Sequence, residues 1–370
     1  MTTEAPTLSE LTSVLADDGR IARPPRRSIP VEIRLELYRH MRRLRRLDTR
    51  LSALQRQGRI GFYGAAFGQE APPVAAALAA APTDWVFPAL REGAVLLVRG
   101  LPLVTYLAQL FGNARDPLKG RQMPNHVASR SVKVVSWSSC IATQLPHAVG
   151  AALAATKLGS DGVVLAFLGD GATSHPDFHA ALNFAGVFRA PVVFVCQNNQ
   201  YAISVSASRQ TASSTFAIKA SAYGVRGERL DGNDALAVYD AVAHAIDGAR
   251  AGNGATLLEC VTYRLGAHSS SDDPSRYRSA AEEARWRERD PVQRLGRHLE
   301  REGVGSSARD CEIDTALDAE LERALAEVEG EPRPALETLF DDVYARLPWH
   351  LVEQRAALGG TAAERAARGR

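Results

Sequence analysis

From Val31 onward, Leu37, Met41, Leu44, Leu47, Leu51 and Leu54 recur at steps of three or four, which is the stripe of an amphipathic helix. Arg42, Arg43, Arg45 and Arg46 fall between the stripe positions, so this arginine run is expected to be the helix's solvated face. Further along, the period changes. Ala142 to Leu158 is Ala-rich and helical in pattern, whereas Val163 to Leu168 is a short unbroken apolar run suited to a strand buried on both sides. Asp177 to Phe188 then reads as helix and Pro191 to Cys196 as a second buried strand; the pair Asp234 to Ala251 and Thr256 to Tyr263 repeats the alternation. Such alternation predicts an α/β fold with a parallel sheet and helices on both faces, and ligands bind these sheets beyond the carboxyl ends of the strands.

The flanks read differently. Residues 1–30 are largely polar, pass through Arg23-Pro24-Pro25-Arg26-Arg27, and are expected to form a flexible N-terminal arm. Residues 31–351 are expected to make a single α/β domain whose C-terminal part, Ala280 to Glu329, is charged and helical with Leu317, Leu321 and Leu325 at four-residue steps. Residues 352–370 are Ala/Arg/Glu-rich and are expected to fray.

Composition removes several function classes. With 370 residues, 45% hydrophobic and 23% charged, the chain is too long for a small module and too apolar for a disordered tail. Lys+Arg and Asp+Glu number 44 and 42, and the bases are scattered, so no electrostatic stripe points to nucleic acid. Cys140, Cys196, Cys260 and Cys311 form neither a CxxC pair nor a disulfide framework and read as reduced. The first twenty residues lack a signal-peptide core, and no run approaches the roughly 18 apolar residues of a membrane helix. A cytoplasmic protein without a membrane partner is expected.

The candidate chemistry stands at strand ends. Leu168-Gly169-Asp170-Gly171-Ala172-Thr173-Ser174 closes the first buried strand, and Gln197-Asn198-Asn199-Gln200-Tyr201 closes the second. A right-handed crossover can bring the two together. Magnesium takes hard oxygen ligands, which the Asp170 carboxylate, the Asn199 amide and the Tyr201 main chain can supply. Gly169 and Gly171 let the backbone approach a diphosphate, and the following helix points its positive end at it. A Mg-diphosphate is the predicted ligand; no Gly-x-Gly-x-x-Gly supports a Rossmann-type nucleotide enzyme.

The stretch from Gly169 to Ser204, GDGATSHPDFHAALNFAGVFRAPVVFVCQNNQYAIS, resembles the cofactor motif of the thiamin diphosphate fold, and within it the alpha subunit of the 2-oxo acid dehydrogenases. Similarity runs from about Tyr63 to about Leu351, and includes Arg91-Glu92-Gly93, Gly120-Arg121-Gln122-Met123-Pro124-Asn125-His126 and the segment from Tyr263 to Arg278. The latter two, with Tyr201-Ala202-Ile203-Ser204, are closer to the branched-chain type than to the pyruvate type.

The resemblance implies a set of roles. Asp170, Asn199 and Tyr201 match Mg2+ ligands; Gly169, Gly171 and Ala172 match the cofactor-binding turn; Arg91 matches the arginine on the terminal phosphate, where a guanidinium fork suits two phosphate oxygens. Ser139 and Ile141 match cofactor contacts, and Ser138, Thr143 and Gln144 match a K+ site. His268 matches a histidine beside the diphosphate that can move a proton near neutral pH. Its following polar loop, from Ser269 to Pro274, reads as able to reorder, and Ser269 matches a serine phosphorylated in animal relatives. His126 reads either as a substrate-side group or as a satisfied core histidine. The cofactor's aminopyrimidine needs a carboxylate that this chain lacks a second domain to supply, so the resemblance implies a beta subunit in an alpha2-beta2 assembly. The small-residue run from Val149 to Ala155 suits such an interface or a plain core helix. The implied reaction is oxidative decarboxylation of a branched-chain 2-oxo acid with acyl transfer to a lipoyl acyltransferase.

Three departures stand out. His175-Pro176 replaces the usual acidic or amide residue and glycine, Leu90 replaces a tyrosine, and Gln197 replaces an arginine. These features leave two rivals: the same chemistry on pyruvate or acetoin, and a non-catalytic diphosphate-binding regulatory subunit.

Overall fold

The computed structural model describes residues 10–269 and 272–368, with side chains to residue 358. The first half contains α1 (Val31–Arg56), α2 (Ala71–Ala79), β1 (Trp85–Phe87), α3 (Gly93–Val98), α4 (Leu103–Phe111), α5 (Gln144–Lys157), β2 (Val164–Gly169) and α6 (Pro176–Val187). The second contains β3 (Val192–Asn198), β4 (Tyr201–Ala202), β5 (Val205–Ser206), β6 (Arg226–Asp231), α7 (Ala235–Arg250), β7 (Thr256–Val261), α8 (Ala280–Arg287), α9 (Pro291–Arg301), α10 (Ser307–Glu329) and α11 (Trp349–Arg368).

One five-stranded sheet of order β1-β2-β3-β7-β6 is parallel throughout. The unbroken apolar runs are explained by double-sided burial: Val164, Ala166 and Leu168 of β2 and Val192, Phe194 and Cys196 of β3 pack under α5 and α6, while Leu165, Phe167, Val193 and Val195 face α1, α2 and α7. Each fully buried aliphatic side chain of this kind contributes roughly 1.5–3 kcal/mol. The crossover from β2 through α6 aligns the strand ends, with Gly169 opposite Gln197 and Asn198 opposite Val261. The substituted dipeptide begins α6 well, since His175 Nδ1 accepts from the Asp177 N–H at 3.2 Å and Pro176 occupies the first turn.

Two expectations need correction. Residues 10–30 are not a free arm. Thr12 donates to the Arg229 carbonyl and accepts from the Asp231 N–H, extending the sheet beyond β6 and covering that edge. Val14 and Leu15 are buried, and their N–H groups donate to Asp234 Oδ2 at 2.7 and 2.6 Å. Asp234 Oδ1 meanwhile caps α7 through the Leu236 and Ala237 N–H groups. The few apolar residues inside a polar stretch therefore anchor it. Residues 1–9 lie outside the described residues.

The arginine run is likewise a packing seam rather than a solvated face. Arg42 pairs with Asp310 at 2.8 Å and Asp314 at 2.6 Å, Arg43 with Glu320, and Arg46 with Asp314 and Asp318. Arg45 turns inward to Glu70 and Asp290. The acids of α10 repeat at four-residue steps and meet the arginines of α1 along the helix pair; singly such pairs contribute little, but here they form a network. Residues 352–368, where fraying is expected, lie in helix α11, and side chains beyond residue 358 are outside the described residues.

Asp234→Ala should remove the cap of α7 and strand buried N–H groups of the arm, costing about 3 kcal/mol. Thermal unfolding should show the loss, and limited proteolysis should cut within residues 10–30. Intact protection of that segment would contradict its anchoring by Asp234.

Candidate active site

The carboxyl ends of β1, β2, β3 and β7 open into one cavity of about 520 Å³. Each strand contributes where it ends: Arg91 follows β1, Asp170 and Gly171 follow β2, Asn199 and Tyr201 follow β3, and Arg264 and His268 follow β7. Ser138, Ser139, Ile141 and Gln144 reach the same cavity from the start of α5, and Gly169 and Ala172 complete the turn after β2. The tertiary structure thus assembles every candidate except Thr143 and His126 on one lining.

Asp170 is buried, and burial pushes its carboxyl pKa up; a hydrogen bond from Gln210 Nε2 to Oδ2 at 2.5 Å and the neighbouring Asn199 main-chain N–H oppose that rise. Its glycine neighbour has a steric reason: a Cβ on Gly171 would stand 2.7 Å from the Ala202 Cβ, so the turn after β2 and the hairpin of β4 and β5 can touch only without it.

The two asparagines divide their work. Asn198 turns away, donating to Glu259 Oε1 at 2.8 Å and accepting from the Gln200 N–H at 3.2 Å, which steadies Gln200 at φ 74°. Asn199 faces the cavity, with Nδ2 donating to Gln69 Oε1 at 2.9 Å and Oδ1 accepting from the Tyr201 N–H at 3.2 Å. The Tyr201 carbonyl accepts from Arg264 Nη1 at 3.0 Å.

Basic groups share the lining with Asp170. Arg91 donates to the carbonyls of Ala65 and, at 2.9 Å, His268. Burial, then the neighbouring Arg264, lowers its pKa to about 10. His268 Nδ1 lies 3.3 Å from Arg91 Nη2, and since arginine only donates, the neutral ring carries its proton on Nε2. Burial, followed by Arg91 and Arg264, lowers the His268 pKa to about 4. Its loop is tied back: the His268 N–H and the Tyr277 hydroxyl both donate to Asp272 Oδ2, at 2.7 and 2.6 Å, and Arg264 Nη2 donates to the Tyr277 hydroxyl at 2.9 Å. The reordering expected between Ser269 and Pro274 falls partly on residues 270 and 271, outside the described residues.

His126 stands one layer behind the lining. Pro124 O can only accept, so Nδ1 holds the proton at 3.1 Å, and Nε2 accepts from Ser139 Oγ at 2.6 Å. It is a buried histidine with both nitrogens engaged, and it orients a hydroxyl that does reach the cavity. Thr143 Oγ1 bonds Ser138 Oγ at 3.2 Å, whereas Gln144 Nε2 donates to the Phe167 carbonyl at 2.8 Å.

Gln197, in place of an arginine, donates Nε2 to buried Glu92 and leaves Oε1 buried without a partner. Leu90 joins Phe62 and Ile141 in the apolar part of the lining. Sequence reasoning missed Arg264, Gln69 and Gln210. Arg264 lies in a segment already singled out for its resemblance, but neither glutamine sits in a motif, and only folding brings them near Asp170 and Asn199.

The sequence profile described as "Dehydrogenase E1 component" matches residues 38–337. The 2-oxoisovalerate dehydrogenase subunit alpha 2, mitochondrial, of Arabidopsis thaliana is 42% identical over 343 residues, spanning 92% of this chain and 73% of that relative. The human 2-oxoisovalerate dehydrogenase subunit alpha, mitochondrial, is 40% identical over 347 residues, spanning 93% and 78%. The Pseudomonas aeruginosa subunit alpha of the same name is 40% identical over 356 residues, spanning 94% and 87%.

The depressed His268 pKa has a testable sign. Its folded value of about 4 lies below the ordinary 6.5, so the unfolded chain binds more protons between them; the stability is complete above 6.5 and is lost as pH falls toward 4. Urea unfolding at pH 7 and pH 5 should therefore show a smaller pH-dependent loss for His268→Asn than for the wild type. Parallel losses would refute the assignment.

Proposed function

Because the chain belongs to the dehydrogenase E1 component family, we propose that its cavity holds thiamin diphosphate through a Mg2+ ion bound by Asp170, Asn199 and Tyr201. The protein is an alpha subunit acting in oxidative decarboxylation of branched-chain 2-oxo acids, the reading that the names of its relatives support. The observation that carries the site is electrostatic. Burial pushes the Asp170 carboxyl pKa up, while burial and the neighbouring Arg264 depress Arg91, and burial with Arg91 and Arg264 depresses His268. A cation with an anion would relieve both. The donor set beside Asp170, one carboxylate, one amide oxygen and one main-chain carbonyl, is hard oxygen, and it leaves room for water and phosphate oxygens around Mg2+.

When bound, thiamin diphosphate supplies the electron sink for loss of carbon dioxide from a 2-oxo acid. The chain's own residues position and polarise. Arg91 offers two donors to the terminal phosphate, and His268, with Nε2 protonated, presents a donor at the mouth. An approaching phosphate would draw the His268 pKa upward and let the ring hold or release a proton near neutrality. His126 fixes the Ser139 hydroxyl through Nε2, and the apolar wall of Phe62, Leu90 and Ile141 suits an aliphatic substrate side chain better than a polar one.

Glu92, the other acid on the lining, is committed to the N–H groups of Ala89 and Arg91 and to Gln197. The carboxylate that activates the aminopyrimidine comes, in this reading, from a beta subunit, and the acyl group passes to a lipoyl acyltransferase. Ser138, Thr143 and Gln144 are the proposed K+ ligands. Among the described residues no helix is long and apolar enough to cross a membrane. We place the assembly in the cytoplasm on the strength of the bacterial relative, which is named without a mitochondrial tag.

Two tests follow from this assignment. Asp170→Ala, co-expressed with the beta subunit, should lose Mg-thiamin diphosphate binding by calorimetry while keeping its circular dichroism; retained binding would sink the metal site. Steady-state assays of the wild-type pair should give a higher kcat/KM on 3-methyl-2-oxobutanoate than on pyruvate, and a preference for pyruvate would overturn the substrate.

A further inference from the structure

We propose that Gln210 is a positioning residue for the metal site, holding one oxygen of Asp170 and the hairpin of β4 and β5 in a fixed relation so that the other carboxylate oxygen meets the ion. This rests on the metal assignment to Asp170 and extends it to a residue outside every motif.

The orientation of its amide is set by its partners. Gln210 Nε2 stands 2.5 Å from Asp170 Oδ2 and 3.0 Å from the Val205 carbonyl, and since both are acceptors the group between them is the NH2. Both of its protons are spent, one on the carboxylate and one on the far strand of the hairpin. The remaining Oε1 is buried without a partner, so nothing else pulls the side chain into this position.

The hairpin so tied begins at Tyr201, whose carbonyl is the third proposed ligand, and its Ala202 touches the turn at Gly171. Gln210 itself is fastened to the hairpin base, because its N–H donates to the Ala207 carbonyl and the Ala207 N–H donates to the Gln200 carbonyl. One amide thus links the carboxylate ligand after β2 to the segment that carries the main-chain ligand after β3. A carboxylate with one oxygen engaged by an N–H presents the other to the metal in a single orientation, and partners that orient metal ligands in this way typically change metal affinity 10–100-fold when removed.

The test uses the co-expressed alpha and beta subunits with thiamin diphosphate and Mn2+ as a paramagnetic probe. Gln210→Ala should raise the Mn2+ Kd by about 10–100-fold in electron paramagnetic resonance titrations, with unchanged thermal unfolding of the metal-free assembly and with kcat recovered at saturating metal. A wild-type Mn2+ Kd in Gln210→Ala would overturn the proposal, as would a loss of metal-free stability with kcat not restored by metal. Asp170→Ala is measured alongside: if that variant still binds Mn2+ normally, the metal assignment itself fails, which is a different result from a silent Gln210 substitution.

Discussion

The register of a parallel sheet fixes where this protein can do chemistry. With Gly169 opposite Gln197 and Asn198 opposite Val261, three neighbouring strands stop within a residue or two of one another. Every segment leaving those ends starts over the same opening. Each strand is buried on both sides, so a slip of register would turn alternate side chains onto the wrong face; the hydrophobic core and the site are thus held by the same constraint.

Within that opening like and unlike charges are held at close quarters. Burial raises the Asp170 carboxyl against its Gln210 and N–H hydrogen bonds and the nearby Arg264, while burial, then Arg264, depresses Arg91. A protein interior tolerates such groups at a cost in stability, and that cost is released when a ligand of the complementary charge pattern enters. The depressed His268 belongs to the same arrangement: burial, then Arg91 and Arg264, keeps its ring neutral.

Farther out, polar groups join the periphery to the core. Asp234 divides its two oxygens between the start of α7 and the arm at Val14 and Leu15. The arginines of α1 meet the acids of α10 across a surface that each helix alone would leave to water. Both arrangements use charged residues where sequence patterning ordinarily places solvent.

The alternating elements, the double-sided burial of β2 and β3, and the residues at their ends were legible along the chain, because an unbroken apolar run and a Gly-Asp-Gly turn each have a local physical cause. The sequence also carried the family likeness through contiguous motifs. It could not show that the arm is anchored, since its few apolar residues are scattered and Asp234, which accepts from the Val14 and Leu15 N–H groups, is some 220 residues away. Nor could it show that the arginine run faces acids, that His126 serves Ser139 from behind, or that Asn198 and Asn199 face opposite ways. Those outcomes depend on which charged or polar groups meet once distant segments pack. The same holds for Gln210, whose side chain acquires a purpose only where the hairpin folds back over Asp170.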